Sequence, residues 1–115
     1  MSQSAAQAAA WGTEVHRHRR VFTIEDNDGI PAPENRDGRR AMPFWSTRSR
    51  AERVIATVPA YAKFRVRELS LEEFAARWLD DLERDGLLVG VNWSGAAATG
   101  YDVEPRDVRA WLSNP

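Results

Sequence analysis

Asn92-Trp93-Ser94-Gly95 and Thr99-Gly100-Tyr101-Asp102 bring an amide, two hydroxyls, a phenol and a carboxylate within eleven residues. Such groups supply both hydrogen-bond donors and acceptors, and the glycines among them let a partner's backbone approach. The string follows the apolar run Leu87-Leu88-Val89-Gly90-Val91, and sheet proteins commonly hold ligands just beyond a strand's end. Trp45-Ser46 stands where a strand gives way to a helix, adding an aromatic wall and a helix N-terminus that favours anions. Arg48 and Arg50 follow in the first turn, where their charge opposes the helix dipole unless an anion or acid compensates it. The chemistry implied is recognition, with Trp45, Ser46, Arg48, Arg50, Asn92, Trp93, Ser94, Thr99, Tyr101 and Asp102 as the candidate binding residues. The same residues admit an architectural reading, in which Asn92 and Asp102 pin a turn while Trp45 and Trp93 fill the core.

Catalysis has no comparable set of groups. A serine relay needs a histidine between nucleophile and acid. Both histidines, His16 and His18, lie instead in the basic run His16–Arg20, and no Gly-x-Ser-x-Gly elbow occurs. The carboxylate pairs Glu72-Glu73 and Asp80-Asp81 fall on the solvent side of an amphipathic helix, without the burial that general acid work requires. There is no phosphate-cradling glycine loop, dinucleotide fingerprint or zincin helix. Two histidines and no cysteine make no metal constellation. We therefore expect no enzyme activity, no metal and no cofactor.

The 115 residues suffice for one domain, and at this size folding buries about two-thirds of the open chain's surface. A composition 43% hydrophobic and 29% charged, with no apolar stretch near spanning length, excludes both a disordered chain and a membrane helix. Sixteen basic and seventeen acidic residues leave a net charge of −1, so nothing draws the chain as a whole to nucleic acid or anionic lipid. Residues 41–67 carry six bases and one acid, while residues 68–90 carry seven acids and two bases. Internal pairing is the simplest use of that contrast. The first ten residues lack a basic region followed by an apolar one, so a cytoplasmic location is expected.

The elements that must position the site follow from spacing. Ala5–Ala10 with Trp11 and Val15 reads as an N-terminal helix ending in the basic run, so residues 1–20 precede an α+β body over 21–115 in one compact domain. Val21–Glu25 and Arg40–Trp45 read as two strands of a long looped hairpin, with Pro43 placing the second at an edge or bulge. Ala51, Val54, Ile55 and Val58 mark a helix capped by Ser46 or Ser49, and Lys63–Arg67 alternates as a strand. Ser70-Leu71-Glu72-Glu73 is a capping box opening an acidic helix over 70–85, closed by Gly86. Leu87–Val91 reads as a strand covered on both faces, and Pro105 opens a last helix. The expected order is α-β-β-α-β-α-β-α, an α+β fold with one mixed four-stranded sheet packed with helices.

Ala41–Ser46, Ser49–Ala51, Trp78-Leu79 with Asp85–Gly95, and Thr99–Asp102 together resemble the bacterial family called domain of unknown function 2750. The resemblance implies a small stand-alone intracellular domain and carries no activity with it. More loosely, the order of segments is similar to the N-terminal domain of SseB-type proteins, which supplies no mechanism either. The expected function is a small recognition module that binds a protein or small molecule without turnover, as a monomer or homodimer, with nucleic acid and membrane not expected as partners. The alternatives are an immunity-type or regulatory inhibitor using its acidic helix 70–85 and, further off, a small hydrolase of unrecognised type. Exposure of Trp11 and Trp111 separates an interface from a filled core.

Overall fold

The computed structural model describes residues 3–113. Helix α1 (Gln3–His18) turns Ala8, Trp11 and Val15 inward at spacings of three and four, and all three are buried. Strand β1 (Arg20–Glu25) pairs antiparallel with β3 (Arg65–Ser70). Strand β2 (Ala41–Phe44) runs parallel to β4 (Leu88–Ser94), which pairs antiparallel with β5 (Thr99–Val103). The sheets β1-β3 and β2-β4-β5 are joined by one antiparallel bridge, with reciprocal Phe22–Trp45 backbone bonds of 2.8 and 2.6 Å. Beside it the Thr23 hydroxyl donates to Pro43 O at 2.7 Å. Pro43 lies in the terminal strand of its sheet, where its missing N–H costs least.

The expected α+β class and single domain hold, and the sheet differs from expectation in three respects. The described residues form five strands in two sheets rather than four in one. The order is α-β-β-α-β-α-β-β-α, the extra strand being β5 in the polar segment that carries Thr99–Asp102. Gly100 and Asp102 are poor strand formers, and pairing with β4 overrides that preference. Finally, β1 and β2 share only the bridge instead of a hairpin ladder, because β3 takes β1's edge.

Helix α2 (Arg48–Thr57) buries Ala51 and Val54. Its cap is Thr47, whose hydroxyl accepts from Arg50 N at 3.2 Å, rather than Ser46 or Ser49, because Ser46 is held in a buried network described below. Helix α3 (Leu71–Glu73) runs through a π-helical turn (Phe74–Trp78) into α4 (Leu79–Arg84) as one rod over 71–84. Ser70 Oγ accepts from Glu73 N at 3.0 Å, as its capping-box position requires. The rod ends with Gly86 at φ 72°, Gly86 N–H bonding Glu83 O and Leu87 N–H bonding Leu82 O, a Schellman closure. Helix α5 (Pro105–Ser113) completes the chain's described part.

Helices cover both sides of the sheet. Trp11, Val15, Phe44, Phe74, Leu79, Val89, Val91 and Val108 form one core, beneath α1, the 71–84 rod and α5. Ile24, Trp45, Ala51, Val54, Leu88 and Trp93 form the other, beneath α2. Every residue from Leu88 to Trp93 is buried, so β4 is the sealed central strand its sequence implied. Among the described residues, no helix is long and apolar enough to cross a membrane.

Candidate ligand-binding cleft

Parallel β2 and β4 end side by side. Beyond β2 the chain passes through Trp45-Ser46-Thr47 into α2, and beyond β4 it turns through Gly95 into β5. Asn92 sits in the left-handed region at φ 49°, a conformation that asparagine tolerates better than most residues, and the β4–β5 register shifts between Val91 and Ser94. Strand alternation would place Trp93 on the same face as Val89 and Val91. The kink at Asn92 turns it over instead, into the core beneath α2.

There the Trp93 indole lies across Gly90 and Gly100. A Cβ at Gly90 would come within 2.4 Å of the ring, and one at Gly100 within 3.0 Å. Trp93 Nε1 donates to Asp102 Oδ1 at 2.9 Å, and Asn35 Nδ2 donates to Asp102 Oδ2 at 2.9 Å. Asp102 thus ties the 26–40 connection to the sheet through two neutral donors. Trp45 Nε1 donates to Trp93 O at 2.9 Å, linking the two strand ends.

The Asn92 amide satisfies three groups. Its Oδ1 accepts from Ser46 N at 2.9 Å, and its Nδ2 donates to Gln7 O at 3.0 Å and to Ser46 Oγ at 2.9 Å. The single Ser46 hydroxyl proton goes to its shortest partner, Glu14 Oε1 at 2.5 Å, over Asn92 Oδ1 at 3.3 Å. Glu14 also accepts from Arg50 Nε at 2.9 Å and Nη2 at 3.3 Å, and Arg50 Nη1 donates to Gln7 Oε1. This network ties α1 to the ends of β2, β4 and α2.

Burial pushes the Glu14 carboxyl up, but the hydrogen bonds from Arg50 and Ser46 and the charges of Arg50 and His18 outweigh it and hold the group below its ordinary 4.5. A carboxyl held lower in the folded than in the unfolded chain contributes stability that is present above the unfolded value. That contribution fades as pH falls through the folded one. Glu14→Gln is therefore expected to be less stable than wild type at neutral pH and to lose less stability below about pH 4.5. Urea midpoints from neutral to acid pH measure this, and parallel curves for the two proteins would refute it.

Outside this network lies a cleft of about 360 Å³, walled by Gln7 from α1, by Arg50, Arg53, Val54 and Thr57 from α2, and by residues 92–96. Four of the ten residues singled out from sequence, Arg50, Asn92, Trp93 and Ser94, line it. Trp45 and Ser46 stand buried behind it. The other four lie elsewhere or serve the framework. Arg48 pairs with Glu68 at 3.1 Å and stacks 5.5 Å over Phe22. Thr99 is exposed on β5, and Asp102 is engaged with Trp93 and Asn35.

Tyr101 lies in a second, more open groove with α1 and Trp111. Trp11 is fully buried and donates to Phe44 O at 3.1 Å, whereas Trp111 is 39% exposed. The two tryptophans therefore divide between core and surface.

Gln7, Arg53, Val54, Thr57 and Ala96 were not foreseen as site residues. Arg53 and Val54 lie three and four positions after Arg50, on one helical face, and that spacing was the signal available for them. Gln7 had none, since only the tertiary fold brings it to the cleft.

Helices on both faces of a mixed sheet, with a small cleft at the carboxyl ends of its parallel pair, define a one-domain α+β protein. Residues 8–112 match the family model described as protein of unknown function DUF2750, and the chain belongs to that family. No curated protein matches the sequence.

Proposed function

We propose that the protein is a recognition module that binds a small ligand, without turning it over, in the cleft at the carboxyl ends of β2 and β4. The observation that carries this reading is the cleft itself, a preformed apolar-walled space of about 360 Å³ with polar groups converging on it. It lies within the usual range of about 300–1,000 Å³ for small-molecule sites. It also stands where open sheets with parallel strands commonly place ligands. Its lining holds guanidinium, amide and hydroxyl groups but neither carboxylate nor imidazole, a set suited to holding rather than to proton transfer.

Charge pairing counts against the inhibitor alternative. On the acidic rod, Glu72 pairs with Arg19 at 2.8 Å, Asp80 and Glu83 pair with Arg109 at 2.5 and 3.4 Å, and Asp81 pairs with Arg84 at 3.1 Å. A basic partner would have to displace these internal arginines.

A fragment screen followed by amide chemical-shift mapping tests the reading. Binders are expected to converge on Val54, Thr57 and Ser94–Ala96. Binders that collect instead in the groove of Tyr101 and Trp111, or on the acidic rod, would overturn it.

A further inference from the structure

Resting on that reading of the cleft, we infer that its ligand is a small apolar monocarboxylate, anchored by Arg53. The argument begins with charge. Two cations line the cleft, and Arg50 is neutralised by Glu14 at 2.9 Å. Arg53 has no ion pair or side-chain hydrogen bond among the described residues, so one positive charge remains. The complement is a monoanion.

The polar groups left over point the same way. Gln7 Oε1 accepts from Arg50, and the Thr57 hydroxyl donates to Arg53 O at 2.8 Å. Asn92 is fully engaged with Ser46 and Gln7. The cleft groups without partners among the described residues are therefore the Arg53 guanidinium, the Gln7 amide nitrogen and the Ser94 hydroxyl. Each of these can donate, and a guanidinium fork matches the two oxygens of a carboxylate. Between these donors the walls are Val54, Trp93 and Ala96, which suit an apolar body. At about 30 Å³ per water-sized group, 360 Å³ holds on the order of a dozen non-hydrogen atoms. A free amphiphilic acid and the terminal residue of a peptide both present this chemistry.

The test compares phenylacetate with neutral phenylacetamide, and a tripeptide ending in leucine with its C-terminal amide, by chemical-shift titration of the full chain. Phenylacetate is expected to shift Val54 and Ser94–Ala96 and to bind about 10-fold tighter than phenylacetamide, as one charge-assisted contact implies. Arg53→Gln is expected to abolish the acid's preference over the amide. Arg53 is exposed and makes no side-chain hydrogen bond or ion pair among the described residues, so an unchanged thermal midpoint verifies that the variant folds. Preference for the free-terminus tripeptide over its amide assigns the carboxylate to a chain end, and binding of phenylacetate alone assigns it to a free acid. Equal affinity for acid and amide, or a preference that survives Arg53→Gln, overturns the carboxylate inference while leaving the cleft reading standing. Absence of shifts at the cleft with all four compounds overturns both.

Discussion

Gly90→Ala is expected to lower the thermal midpoint by roughly 15 °C, the shift that about 3 kcal/mol of overpacking produces in a domain of this size. The Trp93 ring lies 2.4 Å from where the new methyl would sit, far inside van der Waals contact. The clash cannot be relieved locally. Trp93 is held at its nitrogen by Asp102 and at its carbonyl by Trp45, so moving the indole aside breaks the bond to Asp102 and strains the β4–β5 pairing. Asp102 would retain only Asn35, loosening the 26–40 connection as well. Replacing Trp93 by leucine should cost stability alone but less so in the Gly90→Ala background, because the smaller side chain vacates the methyl's space. Calorimetry of the two single variants and the double variant decides this. An unchanged midpoint in Gly90→Ala, or strictly additive losses, would show that the ring does not rest on Gly90.

That dependence also marks how far the site could be read from the chain alone. Leu87–Val91 declared itself as a strand covered on both faces because its unbroken apolar run leaves no polar alternation, and the rod over 71–84 carried its own cap and stop. Both signals are local. The two glycines, Gly90 and Gly100, stand in sequence as members of an apolar run and of the candidate binding string. Their actual reason is one indole placed above both by a backbone kink two residues from the first. Alternation of side chains, the rule that makes strands legible, fails at a left-handed residue, and nothing next to Asn92 announces one.

The same limit governed the arginines. Arg48 and Arg50 were grouped by their place in the first helical turn, yet they point to different partners, Glu68 and Glu14, that lie 20 and 36 positions away. Arg53 could have been grouped with Arg50 by helical spacing, but that it lacks an acid is a property of the assembled fold. Trp45, Trp93 and Asn92 were recognised as belonging together without their shared purpose being visible. They form the framework around a cleft, through bonds from Trp45 to Trp93 and from Asn92 to Ser46 and Gln7.

Substitution at Asn92 is expected to cost the framework still more than at Gly90. Asn92→Ala removes the acceptor for Ser46 N–H and the donor to Gln7 O, both at a residue only 1% exposed. A buried polar group left unpaired costs about 1–3 kcal/mol, and an alanine forced into the left-handed region about 1–2 kcal/mol more. The expected loss is about 4 kcal/mol, enough to leave a marginally stable domain partly unfolded. Asn92→Gly separates the two contributions, since glycine adopts φ 49° freely but restores no hydrogen bond. It should fall about 1–2 kcal/mol short of the alanine variant's loss. Urea midpoints measure both variants, and hydrogen exchange at the Ser46 amide reports the lost bond directly. Slow exchange at Ser46 in Asn92→Gly would show that another group takes the amide's place. Equal losses in the two variants would show that backbone strain at Asn92 is not being relieved by its side chain's absence, and that the polar bridge between α1 and the two strand ends carries the whole effect.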